Sequence, residues 1–254
     1  MMPKEFKKYL GEMTIFEHIQ ELRTSLIKSL GFLIFFSLIA MCFMQEIISF
    51  LQTPYHKAIE KVAKVIGTNK LTAINVFEVM TVNIKVCFLV GFIFGLPFIL
   101  WEIWKFVSPA LYPREKSIAV TFLGASIILF YLGIYCGYSF IIPLFFENAL
   151  VWASQYAHVT ITFENYFNTL ITMVMIFGII FEVPVILSLL GALGILPAAT
   201  LKKYRRILFL ASFIIGAILA PPDVLSMCLI ALPLYAMIEI SIFIIDKIKK
   251  PVPQ

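Results

Sequence analysis

The chain has 254 residues, of which 61% are hydrophobic and only 14% charged, with a formal net charge of +5 and a mean hydropathy of +0.97. This composition excludes a soluble globular domain, and continuous apolar runs, in place of alternating ones, exclude a membrane β-barrel. A helix crosses the hydrocarbon core with about 20 apolar residues and keeps its backbone hydrogen bonds internal, so an all-α membrane protein is expected.

The first informative stretch is polar: Glu17-His18-Ile19-Gln20-Glu21-Leu22-Arg23, ahead of an apolar run at 25–45. No small-residue cleavage site follows that run, so it is expected to remain as an anchor. Residues 45–85 open a long link. From Pro54 onward, Tyr55, Ala58, Ile59, Val62 and Ile66 recur at helical spacing, opposite Lys57, Glu60, Lys61 and Lys64. That pattern predicts a short amphipathic helix, either lying along the membrane surface or capping the bundle.

Further apolar runs at 84–106, 118–143, 166–192, 207–219 and 224–245 bring the expected spans to six. The second span is followed by Ser108-Pro109-Ala110-Leu111-Tyr112-Pro113-Arg114-Glu115-Lys116. The fifth is short: its thirteen residues reach only about 20 Å at ~1.5 Å each, against a core of about 30 Å. Pro221-Pro222-Asp223 follows as a tight turn, with Asp223 placed to cap the last helix. This hairpin is expected to leave the bilayer locally thin.

Basic residues set the orientation. Lys4, Lys7, Lys8, Arg23 and Lys28, then Lys105, Arg114 and Lys116, then Lys202, Lys203, Arg205 and Arg206, then Lys247, Lys249 and Lys250 all fall on one side. By the positive-inside rule that side is cytoplasmic and holds both termini. The lysines of 45–85 lie on the other side.

Polar residues inside the apolar runs are the candidates for function. Glu182 lies deep in the fourth span, two residues before Pro184, which frees a carbonyl near Ile180. It serves either a translocating chain or partner helix, or a proton-linked step, or it is a protonated acid bonded within the bundle. Glu102 and Glu239 are expected to reach the interface or a nearby lysine. Gly91-x-x-x-Gly95 and Gly133-x-x-x-Gly137 permit close helix approach. Cys42, Cys87, Cys136 and Cys228 each stand alone in an apolar segment and are expected to be small buried packing residues. No phosphate-binding loop, zinc-protease motif or nucleophile elbow occurs, so no enzyme activity, metal site or cofactor is expected.

Glu21 and Glu115 stand out on the cytoplasmic side. Each sits among basic residues and could merely neutralise them. Alternatively both line one site for guanidinium groups, since a carboxylate accepts two parallel bonds from an arginine fork.

These stretches together resemble the TatC family, the multispanning receptor subunits of the twin-arginine protein translocase. The resemblance rests on His18-Ile-Gln-Glu21-Leu-Arg23, Ser108 to Lys116, Phe181-Glu182-Val-Pro184 and Pro221-Pro222-Asp223, occurring in order over nearly the whole chain. It implies a single polytopic domain, a glove-shaped bundle of six helices, in the prokaryotic cytoplasmic membrane. It also implies binding of twin-arginine signal peptides of folded cargo, partnership with TatA- and TatB-type single-span subunits in an oligomeric complex, and transport driven by the proton-motive force. On this chain Glu21 and Glu115 match the signal-recognition glutamates, with Leu22, Arg23, Arg114, Lys116 and Phe106 around them. Pro54 and Pro97 match further sensitive positions, and Glu182, Pro184 and Asp223 match the intramembrane and outer-turn motifs. Ala217, Ala220 and Met227 depart from polar residues often found there, which removes side-chain hydrogen bonding from that surface. A proton-coupled small-solute transporter built on Glu182 is the alternative, but the two halves show no paired repeat.

Overall fold

The computed structural model describes residues 15–66, 71–107, 116–156, 160–192, 194–220 and 223–247. Among these residues the protein is all helix: α1 (Ile15–Cys42), α2 (Met44–Ile66), α3 (Val76–Val107), α4 (Lys116–Cys136), α5 (Ile142–Ser154), α6 (Phe163–Ala192), α7 (Ala198–Lys203), α8 (Arg205–Leu219) and α9 (Val224–Lys247). A π-helical turn, Gly137–Ile141, joins α4 to α5. Five stretches are long and apolar enough to cross a membrane: Ile19–Cys42, Val76–Phe106, Thr121–Ser154, Phe163–Ala192 and Val224–Lys247. The fifth expected span is present as α8, a helix of 15 residues.

Two helices run further than their apolar runs. Residues 118–143 were expected as the third span, yet the helix continues to Ser154. Pro143 falls in the first turn of α5, where a missing N–H costs nothing, and Ile142 N–H bonds Gly137 O across the wider π turn just before it. The second span was expected from Ile84, yet α3 starts at Val76. Asn75-x-x-Glu78 is a capping pattern that starts it early, with Asn75 Oδ1 accepting from Phe77 N–H at 3.2 Å.

The contacts fall into two compact units: residues 1–47 with 83–127, and residues 48–82 with 128–254. In the first, α1 packs against the body of α3 where Gly91 meets Ser37 and the Phe98 ring stacks on Phe32 and Phe36. Trp104 stacks on Phe122 and holds the start of α4 against α3.

The second unit is built around α6, whose Phe167, Leu170, Phe177 and Ile180 are buried. Here the glycine pattern acts as expected. A Cβ on Gly133 would lie 2.5 Å from Phe177 O, and one on Gly178 would lie 2.7 Å from the Phe130 ring, so α4 and α6 touch backbone to backbone at Gly133 and side chain to backbone at Gly178. The amphipathic helix begins ten residues earlier than expected, at Met44, with Pro54 in its interior rather than at its start. Pro54 has no N–H for Phe50 O, and that carbonyl accepts the Tyr138 hydroxyl instead. Leu51, Pro54, Tyr55 and Ala58 are buried while His56, Lys57 and Glu60 are exposed. Tyr55 packs against Phe146 and Tyr166, so α2 caps this unit. All four cysteines are free. Cys42 is exposed, against expectation, and Cys87, Cys136 and Cys228 are half-buried.

Candidate functional site

The register of α1 against α3 locates the acidic stretch. Going down the pair, Ser37 meets Gly91, Phe36 meets Gly95, Phe32 meets Phe98, and Lys28 Nζ lies 4.0 Å from Glu102 Oε1. The helices are therefore antiparallel. Continuing the same register brings Arg23 level with Val107, the last residue of α3, and Glu21 about half a turn beyond. Glu21 is half-buried, and Leu22 and Arg23 beside it are exposed. Phe106, in the last turn of α3, is half-buried. Lys116 is the first residue of α4. Arg114 and Glu115 lie outside the described residues.

A register of this kind is a consequence of close packing. A Cβ at Gly91 would sit 2.1 Å from Ser37 Oγ, so only glycine lets the two backbones approach there. Lower down, phenyl rings take over the spacing. Pro97 is half-buried next to Phe98, inside α3. The Lys28–Glu102 contact fits the lysine partner expected for Glu102, and with Lys28 half-exposed it contributes at most about 1 kcal/mol.

In the second unit, Glu182 is half-buried on α6 with its Oε1 shielded from solvent. Its chain neighbours face different helices: Phe181 lies against Gly133 of α4, and Val183 packs on a cluster of Ala198, Leu201, Ile238, Ile242 and Ile245. Pro184 is fully buried within the helix. Glu182 therefore sits at a junction of packed helices. Asp223 caps α9, its Oδ2 accepting from Ser226 N–H at 2.7 Å, as expected; Pro221 and Pro222 lie outside the described residues. Glu239 does not take a lysine. Its Oε2 accepts from Arg205 at 2.8 Å and its Oε1 from the Tyr235 hydroxyl at 2.7 Å, because α8 starts beside α9 at that level.

One acid was missed by sequence reasoning. Glu78 is buried, and its carboxylate accepts Ile74 N–H at 2.9 Å and Glu164 N–H at 2.7 Å. Beside it, Thr72 and Phe163 bond backbone to backbone, so Glu78 ties the entry to α3 to the first turn of α6. The available signal was the Asn75-x-x-Glu78 capping pattern, which marks the helix start but not the second helix that shares the acid.

The described geometry contains an acidic stretch near the end of α3, an acid at a helix junction and an aspartate cap at the start of α9, all at positions of the sequence motifs. The model of the family described as Sec-independent protein translocase protein (TatC) matches residues 17–233. The chain belongs to the TatC family. The Sec-independent protein translocase protein TatC of Campylobacter jejuni is 33% identical over 93% of this chain and 95% of its own length. That of Aquifex aeolicus is 34% identical over 91% and 94%, and that of Escherichia coli K12 is 32% identical over 89% and 85%. A crystal structure of the twin-arginine translocase receptor TatC superposes with a TM-score of 0.78 at 33% identity, covering 92% of this chain and all of the solved one.

TatC proteins are components of the twin-arginine translocase and not enzymes, and this chain is such a component, a multi-helix membrane protein. Family membership sets aside the small-solute transporter alternative.

Proposed function

We propose that this chain is the receptor subunit of its translocase and binds twin-arginine signal peptides of folded cargo at the cytoplasmic face. Glu21 and Glu115 take the two guanidinium groups. Leu22 and Phe106 flank them with apolar surface, and Arg23, Arg114 and Lys116 repel peptides that lack a matching geometry. The observation that supports this reading is the antiparallel register of α1 on α3, with Arg23 level with Val107 and Glu21 about half a turn further along α1. Two charge-assisted pairs of about 1.5–3 kcal/mol each are enough to prefer arginine over lysine, whose ammonium cannot form the forked bond.

The whole chain acts as one polytopic domain in the prokaryotic cytoplasmic membrane, with both termini cytoplasmic and six crossings in a glove-shaped bundle. At ~1.5 Å per residue, α8 is about 22 Å long, so it crosses only where the bilayer thins. Single-span subunits of TatA and TatB type join it in an oligomeric complex, and the proton-motive force drives transport. Glu182 and Pro184 mark where the bundle opens for the translocating chain or a partner, while Pro54, Pro97 and Asp223 keep the helices that flank this path in shape.

The test is binding of the purified protein to a signal peptide with two arginines and to its two-lysine version. The arginine peptide should bind more tightly, and removal of Glu21 and Glu115 should erase the difference. Equal binding of both peptides to the unaltered protein would sink the acid-pair reading. For Glu182, replacement by Gln should impair transport more than signal binding; normal transport would leave Glu182 a purely structural acid.

A further inference from the structure

Four basic residues crowd around the break between α7 and α8: Lys202, Lys203, Arg205 and Arg206, interrupted only by Tyr204. The fold divides them. Lys202 pairs with Asp246 and Arg205 with Glu239, both acids belonging to α9. Lys203 and Arg206 are exposed and pair with no acid among the described residues; the Lys203 ammonium lies over the Tyr204 ring at 5.7 Å.

The last bond of α7, from Tyr204 N–H to Thr200 O at 3.2 Å, and the first of α8, from Leu208 N–H to Tyr204 O at 2.9 Å, meet at Tyr204, whose backbone (φ −98°, ψ 14°) is not helical. Arg206 and the rest of α8 share one helical phase, and Lys203 ends α7 immediately before them. Ser212 and Gly216 form the buried side of α8, and Gly216 packs on Met227 and Ala231 of α9. Arg206, Ile207, Leu210, Ile214 and Ile218 are all on the exposed side of α8, with the exposed Lys203 three residues before Arg206. From Ile207 to Ile218 the stripe rises about 16 Å at ~1.5 Å per residue. That is close to half of a hydrocarbon core of about 30 Å, the depth of one leaflet.

We infer that this face of α8 is a binding site for an anionic phospholipid, with its phosphodiester on Lys203 and Arg206 and an acyl chain along Ile207, Leu210, Ile214 and Ile218. The guanidinium donates a forked pair of hydrogen bonds to phosphate and the ammonium adds a second charge. A zwitterionic lipid brings its own ammonium or choline cation to the same two charges and is disfavoured. Basic residues at the interface favour anionic lipid severalfold each, so the two together should give a preference of roughly tenfold or more. The site goes beyond the receptor role and does not depend on it.

The experiment is native mass spectrometry of the full-length protein in a neutral detergent, titrated with phosphatidylglycerol or phosphatidylcholine. Phosphatidylglycerol should be retained about tenfold better. K203Q/R206Q should bring the ratio to about one, K203R/R206K should keep it, and K57Q, removing an exposed charge on α2, should leave it unchanged. A preference that survives in K203Q/R206Q overturns the assignment. So does complete displacement of the lipid by glycerol 3-phosphate, which would make the site a bare phosphate site. If no lipid preference is seen while co-purification of a single-span subunit falls in K203Q/R206Q, the stripe belongs to a partner helix and the lipid assignment is wrong.

Discussion

Helices α1 and α6 look alike as sequence and differ in the fold. Their most apolar windows have mean hydropathies of 2.0 and 2.5, yet 11% of the first and 56% of the second is buried. Lipid dissolves both equally well, so hydropathy reports membrane insertion and not packing; helices meet in lipid where small residues let backbones approach. Around α6 such residues are dense. Gly133 and Gly137 receive Phe177, Gly178 receives Phe130, and Gly191 receives Ile245. On α1, Gly31 has nothing within 4 Å, and Leu26, Ile27, Leu30 and Ile34 are exposed. The lesson is a division of labour. Changes around α6 should be felt in stability, and changes at the polar end of α1 in binding.

The sharpest way to break that contrast is a matched pair of glycine substitutions. Gly133→Val should destabilise the protein by about 3 kcal/mol, since Phe177 O already lies 2.5 Å from where its Cβ would be. Gly31→Val should change the thermal midpoint in detergent hardly at all. Equal shifts for the two would mean that the packing contrast carries no energy. Next in size is the effect on binding. With Glu21 and Glu115 both replaced by alanine, affinity for a two-arginine signal peptide should fall roughly 100-fold while the thermal midpoint stays put. A parallel loss of stability would put these acids in the structural class with Gly133.

A smaller and more local effect is expected at Glu78. Glu78→Ala leaves the amides of Ile74 and Glu164 without their acceptor, so both should exchange hydrogen faster, with Gln intermediate. Unchanged exchange at Glu164 would show that the tie between the two segments is idle. The smallest change should come from Lys28→Gln, because a half-exposed ion pair at 4.0 Å contributes below about 1 kcal/mol. A larger loss of stability would show that α1 leans on polar contacts more than its exposure suggests.

Much of the architecture could be read in advance because it follows from local chemistry. Long apolar runs must be helical in lipid, since no water is there to satisfy the backbone. Asp223 caps α9 from its own turn, and glycine pairs mark close approach wherever a helix lies opposite. The motifs of the family were also legible, because they are short and adjacent to the spans. Harder to read were features whose cause lies in another segment. Helix α2 was equally compatible with lying on the membrane and with capping the bundle, and only its packing on Phe146 and Tyr166 separated the two. Pro54 marked a helix start in sequence, but it sits mid-helix, tolerated because the carbonyl it frees accepts from Tyr138.

By itself, then, the sequence determined the class, the run of helices and the places where polar groups interrupt them, because each depends on the cost of taking a residue or a backbone amide into hydrocarbon. Only the tertiary structure decided which partners those polar groups take. Glu78 serves a helix start far along the chain, Glu239 holds Arg205 and Tyr235, and Lys203 is left outward while Lys202 is neutralised. The physical reason is that a charge in or near lipid must find a counterpart, but which counterpart is in reach depends on how helices of nearly equal hydropathy stack. That is settled by shape.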